Sequence, residues 1–132
     1  MNTKAPIEQL PIPCLQAAVK RGMKIIVIGG DRRRREKTDW IELRTGIVVE
    51  WPDVARAGSV RKLDGVERSI QLGKVVCVFA VEGFTSHRIF IRVKARCDAY
   101  RVPCIMVHKA GLRSLHDGLL EAEKAVRARE RV

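Results

Sequence analysis

Apolar residues fall along this chain in two alternating rhythms. The first is a set of short, continuous runs: Ile25-Ile26-Val27-Ile28, Ile47-Val48-Val49, Val75 to Val81, and Ile105-Met106-Val107. Each is closed by a turn-forming stretch: Gly29-Gly30, Trp51-Pro52-Asp53, Glu82-Gly83, and His108 to Gly111. Short runs rich in β-branched residues read as buried strands of a parallel sheet. They predict strands near 24–29, 47–51, 75–81 and 103–107.

The second rhythm is a spacing of three and four, the period of a helix with one apolar face. Val60, Leu63, Val66 and Ile70 form one such face, and Ser59 is placed to cap it. Phe90, Val93, Cys97 and Tyr100 form a second, preceded by Thr85 and Ser86 as caps. Leu112, Leu115, Leu119, Ala122 and Val126 form a third, opened by Gly111. A further helix is expected between Asp31 and Arg44, with Trp40 and Leu43 inward and Gly46 as its stop. Before all of these, Pro13 suits the first turn of a short helix through Cys14, Leu15, Ala18 and Val19, ended by Gly22.

Strand and helix therefore alternate four times after an N-terminal arm. Such alternation implies a parallel sheet with right-handed crossovers. The expected fold is α/β: a flavodoxin-like three-layer sandwich whose four-stranded parallel sheet has the order 2-1-3-4, with helices on both faces. Residues 1–22 are read as an arm or short helix, and 23–132 as one domain.

Length and composition agree with this. The chain has 132 residues, 46% of them hydrophobic and 31% charged, which suits one globular domain. The charge changes the picture more. Twenty-six Lys and Arg against fifteen acids leave a net charge of +11. That balance favours anionic partners, nucleic acid first, nucleotides second and acidic membrane surfaces third. No stretch approaches the ~20 apolar residues needed to span a bilayer, and nucleic acid rather than a membrane is the expected partner. Met1 to Leu10 has no signal-peptide core, and a cytoplasmic location is expected. The four cysteines, Cys14, Cys77, Cys97 and Cys104, form no Cys-x-x-Cys pair. No zinc knuckle is expected, and Cys77 and Cys97 read as small core residues.

In open parallel sheets, ligands bind beyond the carboxyl ends of the strands, where the strand order reverses. Here that point lies between the first and third strands. Gly29 and Gly30 would let the backbone approach a ligand closely. Arg32, Arg33, Arg34 and Arg35 can fork onto phosphate oxygens, and their place at a helix start opposes the helix dipole, which favours a functional reason for them. Ser86 and His87 stand where a helix presents unpaired N–H groups. His108, Lys109, Gly111 and Ser114 follow the fourth strand. Arg88, Arg92 and Arg96 lie four apart on one outward stripe, a candidate nucleic-acid surface.

Two enzyme readings fail on residues. Val81-Glu82-Gly83 resembles the start of a Toprim metal site, but Val107-His108-Lys109 lacks the acidic pair that site needs. A phosphorylated receiver domain needs clustered acids after the first strand, and only Asp31 stands there. Gly29-Gly30 is not the G-x-G-x-x-G of a dinucleotide site. No catalytic residues, cofactor or metal are assigned.

Ile28-Gly29-Gly30, Thr85-Ser86-His87, Arg92 to Cys97 and Ala110-Gly111-Leu112-Arg113-Ser114-Leu115 carry a further signal. Residues 24 to about 120 resemble the bacterial family catalogued as domain of unknown function 2325. The resemblance implies a compact Rossmann-like α/β domain and brings no established activity. The chain departs from that family at Trp51-Pro52-Asp53, where many members have His-Asp-Gly-Gly. It departs again at Gly83, near which many carry a Cys. Metal or thiol chemistry depending on those groups does not carry over.

The functional expectation is a binding or regulatory domain that engages nucleic acid through backbone phosphates. The alternatives are a nucleotide or phosphate site at the strand switch point, and a homo-oligomeric accessory domain. For the last, Ile91, off the inward stripe of its helix, would serve a homodimer.

Overall fold

The computed structural model describes residues 12–29, 41–42, 46–52, 60–81, 87–108 and 112–130. Among them are a helix α1 (Pro13–Lys20), strands β1 (Lys24–Ile28) and β2 (Val48–Glu50), helix α2 (Val60–Gln71), strand β3 (Val75–Val81), helix α3 (His87–Ala99), strand β4 (Cys104–Val107) and helix α4 (Leu112–Glu130). The four strands form one sheet in the order β2-β1-β3-β4, and every pairing is parallel. The α/β fold and strand order read from the sequence are those observed. β1 ends one residue earlier than expected, β2 is trimmed at both ends, and β4 starts one residue later.

Alternation along the strands divides the core in two. Ile26, Ile28, Val75, Val78 and Ala80 face one side and meet Leu63, Val66 and Ile70 of α2 and Val93 and Cys97 of α3. Ile25, Val27, Phe79, Val81, Ile105 and Val107 face the other and meet Leu15 and Ala18 of α1 and Leu115, Leu119, Ala122 and Val126 of α4. All seven residues of β3 are buried, as a central strand covered on both faces must be. Ile41 lies in the same cluster as α1 and α4. The N–H of Gly46 donates to Glu42 O at 3.0 Å, with Gly46 at φ 78°. Gly46, the expected stop, thus has the left-handed backbone of such a position; Trp40, Leu43 and the rest of that expected helix apart from Ile41 and Glu42 lie outside the described residues.

One inward position differs from its expectation. Tyr100 continues the apolar period of α3, yet it is 41% exposed. The helix has already ended at Ala99, and beyond it the chain turns through Arg101 at φ 60°, which takes Tyr100 off the inward stripe. Ile91 is exposed, as its place off that stripe requires.

The helix within the expected arm is docked onto the domain. α1 has Pro13 at its start, but its N-cap position, Ile12, offers no side-chain acceptor. Glu123 of α4 supplies it instead. Its Oε2 accepts from Cys14 N–H and its Oε1 from Leu15 N–H, both at 3.0 Å, and Arg127 Nη2 donates to Oε2 at 2.9 Å. The Glu123 side chain is only 3% exposed. Burial pushes its carboxyl pKa up, but the two N–H bonds and Arg127 outweigh that and hold it below the usual glutamate value.

Candidate functional site

The strand order places β1 beside β3, so the chain leaves these two neighbours in opposite directions: from β1 outward to β2, from β3 outward to β4. The crevice beyond their carboxyl ends is the switch point. Gly29 stands at the end of β1 with φ 85°, a left-handed conformation that only glycine adopts without strain. Its carbonyl accepts a hydrogen bond of 2.7 Å from the Trp51 indole Nε1, which arrives from the end of β2. Trp51 is itself buried in the core. Gly29 is thereby held from the neighbouring strand, which the sequence did not reveal.

Two helices begin at this same edge. α3 starts at His87, exposed, with Arg88 exposed beside it, and α4 starts at Leu112, with Ser114 half-buried in its first turn. His108 follows β4 directly and is exposed. Gly118 lets α4 lie close to the sheet: a Cβ there would meet Val107 Cγ1 at 3.1 Å and Phe79 Cε1 at 3.4 Å. The structure thus brings Gly29, His87, His108 and Ser114 to the carboxyl edge of the sheet. Gly30, Arg32, Arg33, Arg34, Arg35, Ser86, Lys109 and Gly111 lie outside the described residues.

The arginine stripe of α3 is altered by its neighbour. Arg92 Nε donates to Glu67 Oε2 at 2.9 Å, and its Nη2 donates to Glu67 Oε1 at 2.9 Å and Asp64 Oδ1 at 2.5 Å. Arg96 Nη2 lies 3.9 Å from Glu67 Oε1. The Glu67 and Asp64 bonds raise the Arg92 pKa. Two acids of α2 therefore balance two of the three arginines, and Arg92 has its fork occupied by carboxylates. Arg88 alone of the three joins no ion pair among the described residues. Sequence spacing within α3 could not show this, because the partners come from another helix.

No group of three or more His, Cys, Asp or Glu side chains suited to a metal occurs among the described residues. No described helix is long and apolar enough to cross a membrane. No protein-family model matches the chain, and no curated protein matches it.

Proposed function

We propose that the chain is a binding domain that holds a phosphate-bearing small ligand, such as a nucleotide, at the carboxyl edge of its sheet. The observation that carries this reading is the order reversal between β1 and β3 with Gly29 held there by Trp51. A residue held in place without a bulky side chain leaves room for close approach of an anion. His87 and Arg88 at the start of α3, and His108 after β4, supply donors at that edge. The sequence places Gly30 and Arg32 to Arg35 directly after Gly29, and Ser86 directly before His87.

Nucleic acid is the second reading, favoured by the net charge of +11. Against it, Arg92 and Arg96 are matched by Glu67 and Asp64, so the α3 stripe adds little free charge. Thermal melts with inorganic phosphate, a nucleoside triphosphate and duplex DNA separate the two. A small ligand that binds the native state raises the melting temperature with the logarithm of its concentration once that exceeds Kd, and His87→Ala should reduce that rise. Duplex binding with a log–log salt slope of roughly −0.9 per phosphate neutralised, unaltered by His87→Ala, would favour nucleic acid. No stabilisation by any of the three would refute both.

A further inference from the structure

β4 closes the sheet order, and among the described residues it pairs only with β3. Val78 N–H donates to Pro103 O at 2.9 Å. Along a strand the main-chain groups turn alternately to the two sides. Those of Pro103, Ile105 and Val107 therefore face β3, and the N–H and C=O of Cys104 and Met106 point outward from the edge of the sheet. An edge of this kind is a template for another strand. Side chains alternate between the faces as well. Ile105 and Val107 are buried on the α4 side, which puts Cys104 and Met106 on the α3 side. Cys104 packs against the core there, while Met106 is 44% exposed.

The neighbouring flank of α3 is open too. Arg92 and Arg96 reach acids of α2, so their flank of α3 is turned to α2, and Val93 and Cys97 face the sheet. At about 3.6 residues per turn, Ile91, Lys94 and Asp98 fall on the flank away from α2, beside the β4 edge. Ile91 is 52% exposed. Lys94 Nζ donates to both carboxylate oxygens of Asp98 at 3.1 Å, and both side chains stand in solvent. The patch thus joins two exposed apolar side chains, Ile91 and Met106, to one cation and one anion. It carries no net charge in a chain of net charge +11. Such a patch offers a polyanion little, and it lets a like-charged copy of the chain approach.

We propose that this patch is the interface of a two-fold homodimer, in which β4 pairs antiparallel with β4 of a second copy and doubles the four-stranded sheet. Self-complementarity singles out the second copy. With the two-fold axis at Ile105, Cys104 of each chain stands opposite Met106 of the partner subunit, and the outward N–H and C=O of both residues are paired in both directions. Each α3 lies over the β3–β4 pair, because Val93 and Cys97 share a core cluster with Val78 and Ala80, and Cys104 packs against that cluster. Two such helices come to lie two strand spacings apart, about 9.6 Å, which matches the roughly 8–10 Å between packed helices. Ile91 and Met106 are then covered. The two Lys94–Asp98 pairs meet in opposite senses, which lets each lysine reach Asp98 of the partner subunit. The doubled sheet stays within the usual size of an open sheet.

Sedimentation equilibrium of the full chain should give twice the 14.9 kDa mass of one chain, falling towards the single mass on dilution. Ile91→Glu and Met106→Lys change exposed side chains, and circular dichroism should show the fold intact. Each should raise the dimer dissociation constant by roughly tenfold or more, since each sets a charge against its own two-fold copy. Hydrogen exchange of the wild type needs no variant to fold: the Cys104 and Met106 amides should exchange more slowly in concentrated than in dilute protein. A chain that stays monomeric at millimolar concentration, or that assembles beyond two copies, would overturn the proposal. So would a dimer that survives both substitutions, or Cys104 and Met106 amides whose exchange ignores concentration.

Discussion

Replacing Glu123 by Ala should cost about 3 kcal/mol of stability, because its two N–H bonds, one buried and one partly buried, are charge-assisted and worth roughly 1.5 kcal/mol or more each. Cys14 and Leu15 N–H would lose their acceptor, and α1 has no side-chain cap of its own to replace it. The better helix propensity of Ala returns only a few tenths of a kcal/mol. Glu123→Gln keeps one carbonyl oxygen but turns an amide NH2 towards a donor, so its cost should fall between wild type and Ala. Equilibrium urea unfolding measures this. With a slope of about 1.5 kcal/mol/M, the Ala midpoint should fall by ~2 M with the slope unchanged. Hydrogen exchange should show α1 amides losing protection before those of β3. A midpoint shift under about 0.5 M for Ala, or Gln behaving as wild type, would refute the assignment of Glu123 as the cap of α1.

The same carboxylate sets a pH dependence. Its folded pKa lies below the unfolded one, so its contribution is full above the ordinary glutamate value of about 4.3 and is lost as pH falls through the lower folded value; the stability gap between wild type and Glu123→Gln should therefore narrow in urea titrations below about pH 4. Trp51→Phe removes the indole donor to Gly29 O and should cost about 1–3 kcal/mol by thermal melting; an unchanged melting temperature would mean the bond does not hold Gly29 in place. Arg101→Gly relieves a left-handed non-glycine residue and keeps the Arg129 bond, which goes to the Arg101 carbonyl; it should gain roughly 0.5–1 kcal/mol, and a lowered melting temperature would contradict this. Arg92→Ala should leave affinity for DNA unchanged, because Glu67 and Asp64 already hold that guanidinium; a clear loss in a gel-shift titration would restore the α3 stripe as a nucleic-acid surface.

The fold was legible because burial writes itself into spacing. Val75 to Val81 had to be covered on both faces, and Leu63, Val66 and Ile70 had to share one. What stayed hidden depends on contacts between elements. Glu123 sits next to Ala122 on the rim of an apolar stripe and reads as a solvated acid; only the docking of α1 buries it. Arg92 and Arg96 read as free charge until α2 brings Glu67 alongside. Cys97 reads as a core residue and is one, but the helix stop after it has an arginine as its left-handed residue, giving no glycine signal. At the carboxyl edge the sequence indicated the residues, while the bond from Trp51 to Gly29 is a cross-strand feature without a local pattern.

The capping of α1 by Glu123 also has a consequence for the order in which the molecule is built. The bonded groups are 108 and 109 positions apart along the chain, so this contact closes a very long loop. Loop-closure entropy makes contacts of that separation slow to reward a folding chain. The β1–β3 and β3–β4 pairings are closer in sequence and can form first. α1 would then be secured late, waiting on α4 for the acceptor of its own first turn. Mutations at Glu123 should accordingly speed unfolding while leaving the folding rate almost untouched.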